Sequence, residues 1–171
     1  MTTRSGPDAG GGRPDPGLAA IMSERRRLIN LATLITPNLP EAEALAGETI
    51  PDLDTMKHAA AALLTIGCHA VLLTGGHMKG DVLTDVLATA HGVELFESRR
   101  IPTTSTHGTG CTIASAIATG LAQGMELRRA VLRARAYVRR AIETAPGYGH
   151  GHGPLNHGHT VAPDAAPAAG E

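Results

Sequence analysis

The 171-residue sequence predicts an α/β fold, a sheet covered by Ala-rich helices. Three observations predict it. Ala70-Val-Leu-Leu-Thr74 is a continuous apolar run, the mark of a strand buried on both faces. An amphipathic stretch and Gly67 precede it, so helix, glycine and buried strand make one αβ step of a doubly wound sheet. Hydrophobic residues make up 42% of the chain but aromatics only 2%, which leaves Ala, Leu, Ile and Val to form the core. The length suits one domain.

Residues 1–16 are too rich in Gly, Pro and polar groups to bury anything, and we expect a disordered arm there. The folded unit is expected over 17–159, with the Ala/Pro-rich 160–171 a disordered tail. Over 17–31, Leu18, Ile21, Met22, Leu28 and Ile29 give a helix with one apolar face. Residues 32–36 read as a short strand that stops before Pro37. Asn38 then sits where a helix N-cap belongs, with Pro40 in the first turn and Gly47 at the end. A second helix spans 52–66, carrying Met56, Ala60, Leu63 and Leu64 on one face. After the buried strand, Gly75-Gly76-His77 turns at its C-terminal end, where open α/β sheets bind ligands. Residues 81–88 and 92–99 form a hairpin about Ala90-His91-Gly92. Over 125–144, Leu127, Ala130, Val131, Ala134, Val138, Ala141 and Ile142 fall at helical spacing. The arginines at 128, 129, 133, 135, 139 and 140 are expected to form a solvated face, and Tyr137 to pack.

The stretch 101–124 carries the chemistry. It opens polar, passes through Gly108-Thr109-Gly110 and becomes an Ala- and Ile-rich helical run. The first amides of a helix lack intrahelical partners, and the helix dipole is positive there. Two glycines let backbone approach a ligand closely, so the pattern suits an anion, most often phosphate. Cys111 follows at once, in the field of that helix end. The local pattern also permits a plain glycine turn capped by Thr109, with Cys111 packed inside.

Other classes are excluded or disfavoured. A formal net charge of −1 makes no electrostatic case for nucleic acid or an anionic membrane. No apolar run approaches the ~18 residues of a spanning helix, and the N-terminus has no signal-peptide segment. Cys68 and Cys111 fit neither a metal spacing nor a disulfide framework, so a reducing cytoplasm is the expected compartment. His77 and His91 read as polar loop residues. His150, His152, His157 and His159 are spaced by glycines, which give no rigid platform for structural zinc.

Thr106-His-Gly-Thr-Gly-Cys-Thr112 resembles the signature of the hydroxymethylpyrimidine/phosphomethylpyrimidine kinases of thiamine biosynthesis, members of the ribokinase-like superfamily. Leu34-Ile-Thr-Pro-Asn-Leu-Pro-Glu-Ala-Glu-Ala-Leu45 is similar to another stretch of these kinases, and Gly147–His159 to their Gly-His-rich close. Val71-Leu-Leu-Thr-Gly-Gly-His77 resembles their strand ending in Lys-Gly-Gly-His, with Thr74 where the family has lysine. A threonine donates one hydrogen bond and carries no charge, so a cation is lost from phosphoryl transfer unless nearby Lys79 replaces it. The similarity covers about residues 18–159 and matches only the C-terminal part of a full kinase.

The resemblance implies a three-layer α/β/α sandwich of ribokinase type, truncated at its N-terminal side. It implies ATP- and Mg²⁺-dependent phosphorylation of an aminopyrimidine alcohol or its monophosphate. The amides of Gly108, Thr109, Gly110 and Cys111 would hold the transferring phosphoryl group, and Cys111 would take or orient the acceptor's proton. Thr74, Gly76, Thr106 and His107 would line the nucleotide. Asn38 and Glu41 would organise Mg²⁺, often through water. By itself the Asn-x-x-Glu pair reads as a helix cap and a dipole complement. A pyridoxal or pyridoxine kinase is the same-class alternative, and a non-catalytic nucleotide-binding remnant the different-class one. An abruptly ended sheet leaves an unpaired edge, which favours a homodimer or a complementing N-terminal half.

Overall fold

The structure, a computed structural model, describes residues 28–161. The arm expected over 1–16, most of the helix expected over 17–31 and nearly all of the tail lie outside the described residues. Of that first helix, Leu28 and Ile29 are helical, and Ile29 is buried.

Helix α1 (Leu39–Ala46) starts at Asn38 and stops at Gly47, whose φ of 76° is the left-handed conformation that glycine adopts without strain. Helix α2 (Leu53–Leu64) starts at Asp52, whose Oδ1 accepts from both the amide and the hydroxyl of Thr55 at 2.8 Å. Strand β1 (Ala70–Leu73) is buried along its whole length. Strands β2 (Val82–Thr89) and β3 (Gly92–Arg99) form the expected hairpin, paired from Val82 opposite Arg99 to Thr89 opposite Gly92. The sheet order is β1-β2-β3, antiparallel throughout.

The parallel step lies on the other side of β1. Ile35 donates to Ala70 O at 3.1 Å, Leu72 to Ile35 O at 2.9 Å, and Thr74 to Pro37 O at 2.9 Å. The expected strand over 32–36 is therefore reduced to one isolated parallel bridge, Ile35 with Val71, and a second, Asn38 with Thr74, follows past Pro37. Pro37 between them has no N–H to continue the ladder.

Alternation along β1 builds two cores. Val71 and Leu73 join Val86 and Ala88 against α1 and α2, around Met56, Ala59 and Leu63. Ala70 and Leu72 join Leu87 and Phe96 on the opposite face. They pack there against α3 (Thr109–Ala122) and α4 (Leu127–Glu143), through Ile113, Ile117, Val131 and Val138. The result is the three-layer α/β/α arrangement. A strand that feeds a core on each face must be apolar at every position, which is why no alternation is visible in its sequence.

The arginine face of α4 needs one correction. Arg128, Arg129, Arg133 and Arg140 are exposed, but Arg135 turns inward and pairs with the buried Asp85 on β2. A carboxylate buried in a sheet requires such a partner. Tyr137 packs against the rings of His157 and His159, which begin and nearly end the short 3-10 helix His157–Thr160.

Candidate functional site

Three groups of residues gather at one end of the sheet. The segment 32–38 and β1 run parallel, so Asn38 and Thr74 both lie at a C-terminal strand end, bridged to one another. Strand β3 is antiparallel to β2 and hence points the same way as β1. Its last residue, Arg99, accepts at its carbonyl from Arg139 near the C-terminus of α4, while Glu94 pairs with Arg128 near the start of that helix. Helix α4 thus rises alongside β3. Helix α3 descends beside it, since Gln123 just past the α3 C-terminus bonds Arg133 and Gly120 packs on Ala130. The N-terminus of α3 therefore opens at the same sheet end as Thr74 and Asn38, where α/β sheets carry their ligands.

The first group is the α1 N-terminus. Asn38 Oδ1 accepts from the Glu41 amide at 2.9 Å, and Glu41 Oε2 accepts from the Asn38 amide at 3.0 Å. This capping box ties both side chains to the helix start. A carboxylate that accepts one hydrogen bond keeps most of its lone-pair positions, and Glu41 is exposed. An oxygen-only pair of this kind fits Mg²⁺ held partly through water. Among the described residues no three His, Cys, Asp or Glu side chains cluster as a metal cage.

The second group is the turn after β1. Thr74 Oγ1 lies 3.4 Å from Pro37 O. Gly75 is buried, and a Cβ there would stand 1.9 Å from Thr84 O, so only glycine fits. Its amide donates to Asp85 Oδ1 at 2.8 Å. Gly76 is open, with nothing within 4 Å of an added Cβ. Arg100 grips the loop from outside: Nε donates to Gly80 O at 2.9 Å, Nη1 to Gly76 O at 2.8 Å, and Nη2 to Met78 O. Lys79 is exposed in this loop and makes no ion pair among those found in the described residues.

The third group is the α3 N-terminus. Gly108 is the N-cap, in the left-handed conformation at φ 85°, and no side chain caps the helix. Thr109 does not cap it; its hydroxyl turns back to Thr106 O at 2.6 Å, and its amide reaches the same carbonyl at 3.4 Å. The Thr112 amide donates to Gly108 O, whereas the amides of Gly110 and Cys111 donate to no protein group among the described residues. Cys111 is exposed rather than packed inside.

The His-rich close of the chain straps this third group. His107 donates to Gly153 O at 3.2 Å, and Thr106 Oγ1 is 3.4 Å from His152 Nδ1. Gly153 is buried, and a Cβ there would meet Ser105 Oγ at 2.9 Å. Leu155 is buried and the Asn156 amide donates to Ala141 O, which fastens the strap to α4. No hydrogen bond or ion pair joins the α1 and β1 groups directly to the α3 group among the described residues.

The description phosphomethylpyrimidine kinase belongs to the family model that matches residues 17–156. The chain belongs to the phosphomethylpyrimidine kinase family. It is 48% identical over 143 residues to the thiamine biosynthesis bifunctional protein ThiED of Geobacter sulfurreducens, covering 84% of this chain and 29% of that one. It is 43% identical over 150 residues to the hydroxymethylpyrimidine/phosphomethylpyrimidine kinase of Rhizobium meliloti, covering 86% of this chain and 55% of the relative. The chain thus spans about half the length of the single-function kinase and less of the bifunctional protein. Among solved structures, an ADP complex of Bacillus subtilis pyridoxal kinase superposes with a TM-score of 0.77 at 35% identity. That match covers 85% of this chain and 56% of the other, which places the fold among ribokinase-like kinases.

Sequence reasoning missed Asp85, Arg100 and Arg135. The signal for Asp85 was present, a carboxylate inside the apolar run of a strand. Its partner was hidden among six arginines that helical spacing treats alike.

Proposed function

We propose that the chain is the nucleotide side of an ATP-dependent phosphotransferase that acts on hydroxymethylpyrimidine or its monophosphate. The observation that carries this is the uncapped N-terminus of α3, with the Gly110 and Cys111 amides unpartnered beside the exposed Cys111 thiol. Amides fixed in that position stabilise charge on a transferring phosphoryl group without reorganising. Gly108 and Thr109 shape the turn that presents them, and Thr106 and His107, held by the strap, set the approach to it. Cys111 Sγ takes or orients the proton of the acceptor hydroxyl as that oxygen bonds the γ-phosphorus and the bond to the β-phosphate oxygen breaks. Asn38 and Glu41 would hold Mg²⁺, which neutralises phosphate charge when bound. Thr74 and Gly76 flank the phosphates from the β1 end. ATP as the nucleotide draws support from the family and from the ADP complex of the pyridoxal kinase.

A second reading, a nucleotide-binding remnant without turnover, is favoured by one residue. Thr74 supplies a hydroxyl where the resemblance implies a lysine, and transfer then lacks a cation. A coupled assay with the pyrimidine alcohol, its phosphate and pyridoxal, run beside an ATP·Mg²⁺ titration, separates the readings. Turnover of a pyrimidine that disappears in Cys111→Ala supports the kinase. ATP binding without turnover of any acceptor supports the remnant, and no ATP binding by folded protein sinks both.

A further inference from the structure

Asp85 is 4% exposed, and with Ser105 it is the only polar side chain buried to that degree among the described residues. Its two oxygens are divided. Oδ1 accepts from the Gly75 amide at 2.8 Å and Oδ2 from Arg135 Nε at 2.9 Å. Arg135 Nη2 donates on to Phe96 O at 2.9 Å and lies 3.4 Å from Ser98 Oγ, while its guanidinium sits 5.6 Å over the Phe96 ring. Both carboxylate oxygens and two of the three guanidinium nitrogens are thus engaged, and the pair ties helix α4, both strands of the hairpin and the turn after β1 together.

Sheet pairing does not need this. Residue 85 faces Phe96 in the ladder through backbone groups that any side chain would supply. A buried ion pair is also commonly no more stabilising than apolar residues of similar size. What the pair does supply is a charge-assisted grip on one amide, that of Gly75. Arg100 takes the carbonyls of Gly76, Met78 and Gly80. With the carbonyls turned to Arg100, the amides of Gly76 and His77, directly after the gripped Gly75, donate to no protein group among the described residues and can meet an anion.

We propose that Asp85 and Arg135 are positioning residues: they fix the Gly75–Gly76 turn in the conformation that meets the phosphates of a nucleotide. Because Arg135 stands on α4, which packs against α3, the same pair holds this turn in register with the Gly108–Cys111 amides. The ligand half of this statement rests on the kinase reading; the conformational half does not.

The test uses the full chain in two variants. Asp85→Ala/Arg135→Met removes both charges together and so avoids stranding one of them. Asp85→Asn keeps an acceptor for Gly75 without the charge. Amide hydrogen exchange at Gly75 and an ATP·Mg²⁺ titration are read on each. The double variant should fold, exchange Gly75 about tenfold faster and bind ATP about tenfold more weakly, with Asp85→Asn between it and wild type. A purely structural pair would shift the melting temperature and leave the folded protein's ATP affinity at its wild-type value; that result overturns the proposal. If the double variant fails to fold, Asp85→Asn decides by the same two readouts. Wild-type protein that binds no ATP sinks the kinase reading, and the positioning role then stands or falls on Gly75 exchange.

Discussion

Gly75→Ala is the sharpest single test of the site's architecture. An ideal Cβ at 75 stands 1.9 Å from Thr84 O, 2.9 Å from Thr84 C and 3.3 Å from Thr84 N. Ordinary contact begins near 3.4 Å, so the methyl is about 1.5 Å too close to the carbonyl oxygen. The obstacle is backbone in the middle of the sheet, where Thr84 pairs with Glu97, so no side-chain rotation relieves it. Overpacking of this sort costs about 1–3 kcal/mol where the surroundings yield. Displacing the turn also breaks the bond to Asp85, and a hydrogen bond to a charged group contributes about 1.5–3 kcal/mol. We expect a combined loss of about 3–5 kcal/mol, a large share of a domain's usual ~5–15 kcal/mol. In a thermal melt this is a fall of roughly 6–20 °C for a chain of this length. Gly76→Ala is the control: nothing lies within 4 Å and φ is not positive, so its stability should change by no more than about 0.5 kcal/mol. Equal melting temperatures for the two variants would refute the close approach of β1's turn to β2.

Two further outcomes are expected. In native protein a thiol reagent should react quickly at one cysteine: Cys111 is exposed, whereas Cys68 is buried and desolvation pushes its thiol up, away from the reactive form. Cys111→Ala should leave the folded protein inert to the reagent, and a fast thiol surviving in that variant contradicts the placement of Cys68. The Thr55 amide, and after it the Thr55 hydroxyl, hold the Asp52 carboxyl below its ordinary range. A depressed folded-state value means a stabilisation present above the unfolded-state value, and lost as pH falls through the folded-state one. Asp52→Asn keeps an N-cap but cannot titrate, so its urea midpoint should fall less than wild type's between pH 6 and about pH 3. Identical losses in both proteins would mean that Asp52 contributes nothing to the acid dependence.

Much of the architecture was legible because its causes are local. The Asn38 cap, the Gly47 stop and the hairpin about Ala90-His91 each depend on residues a few positions apart. The loop into α3 was readable for the same reason, since Gly108 must supply a positive φ just before an apolar helical run. Two expectations were not met in full. The strand over 32–36 shrank to a single bridge at Ile35 because Pro37 has no N–H to give to β1. The uniform solvated face of α4 lost Arg135 to a carboxylate fifty positions away in the chain.

The amino-acid order alone determined the helices after Asn38, over 52–66 and over 125–144, the buried strand, the hairpin and the glycine turn ahead of Cys111, because short-range sterics and hydrogen bonding decide these. Only the packed chain decided which arginine enters the interior, that Gly75 abuts Thr84, and that the His-rich close lies across Ser105–His107. Those are meetings between distant segments, set by the register of strands and helices against one another. No periodicity in a single segment encodes them.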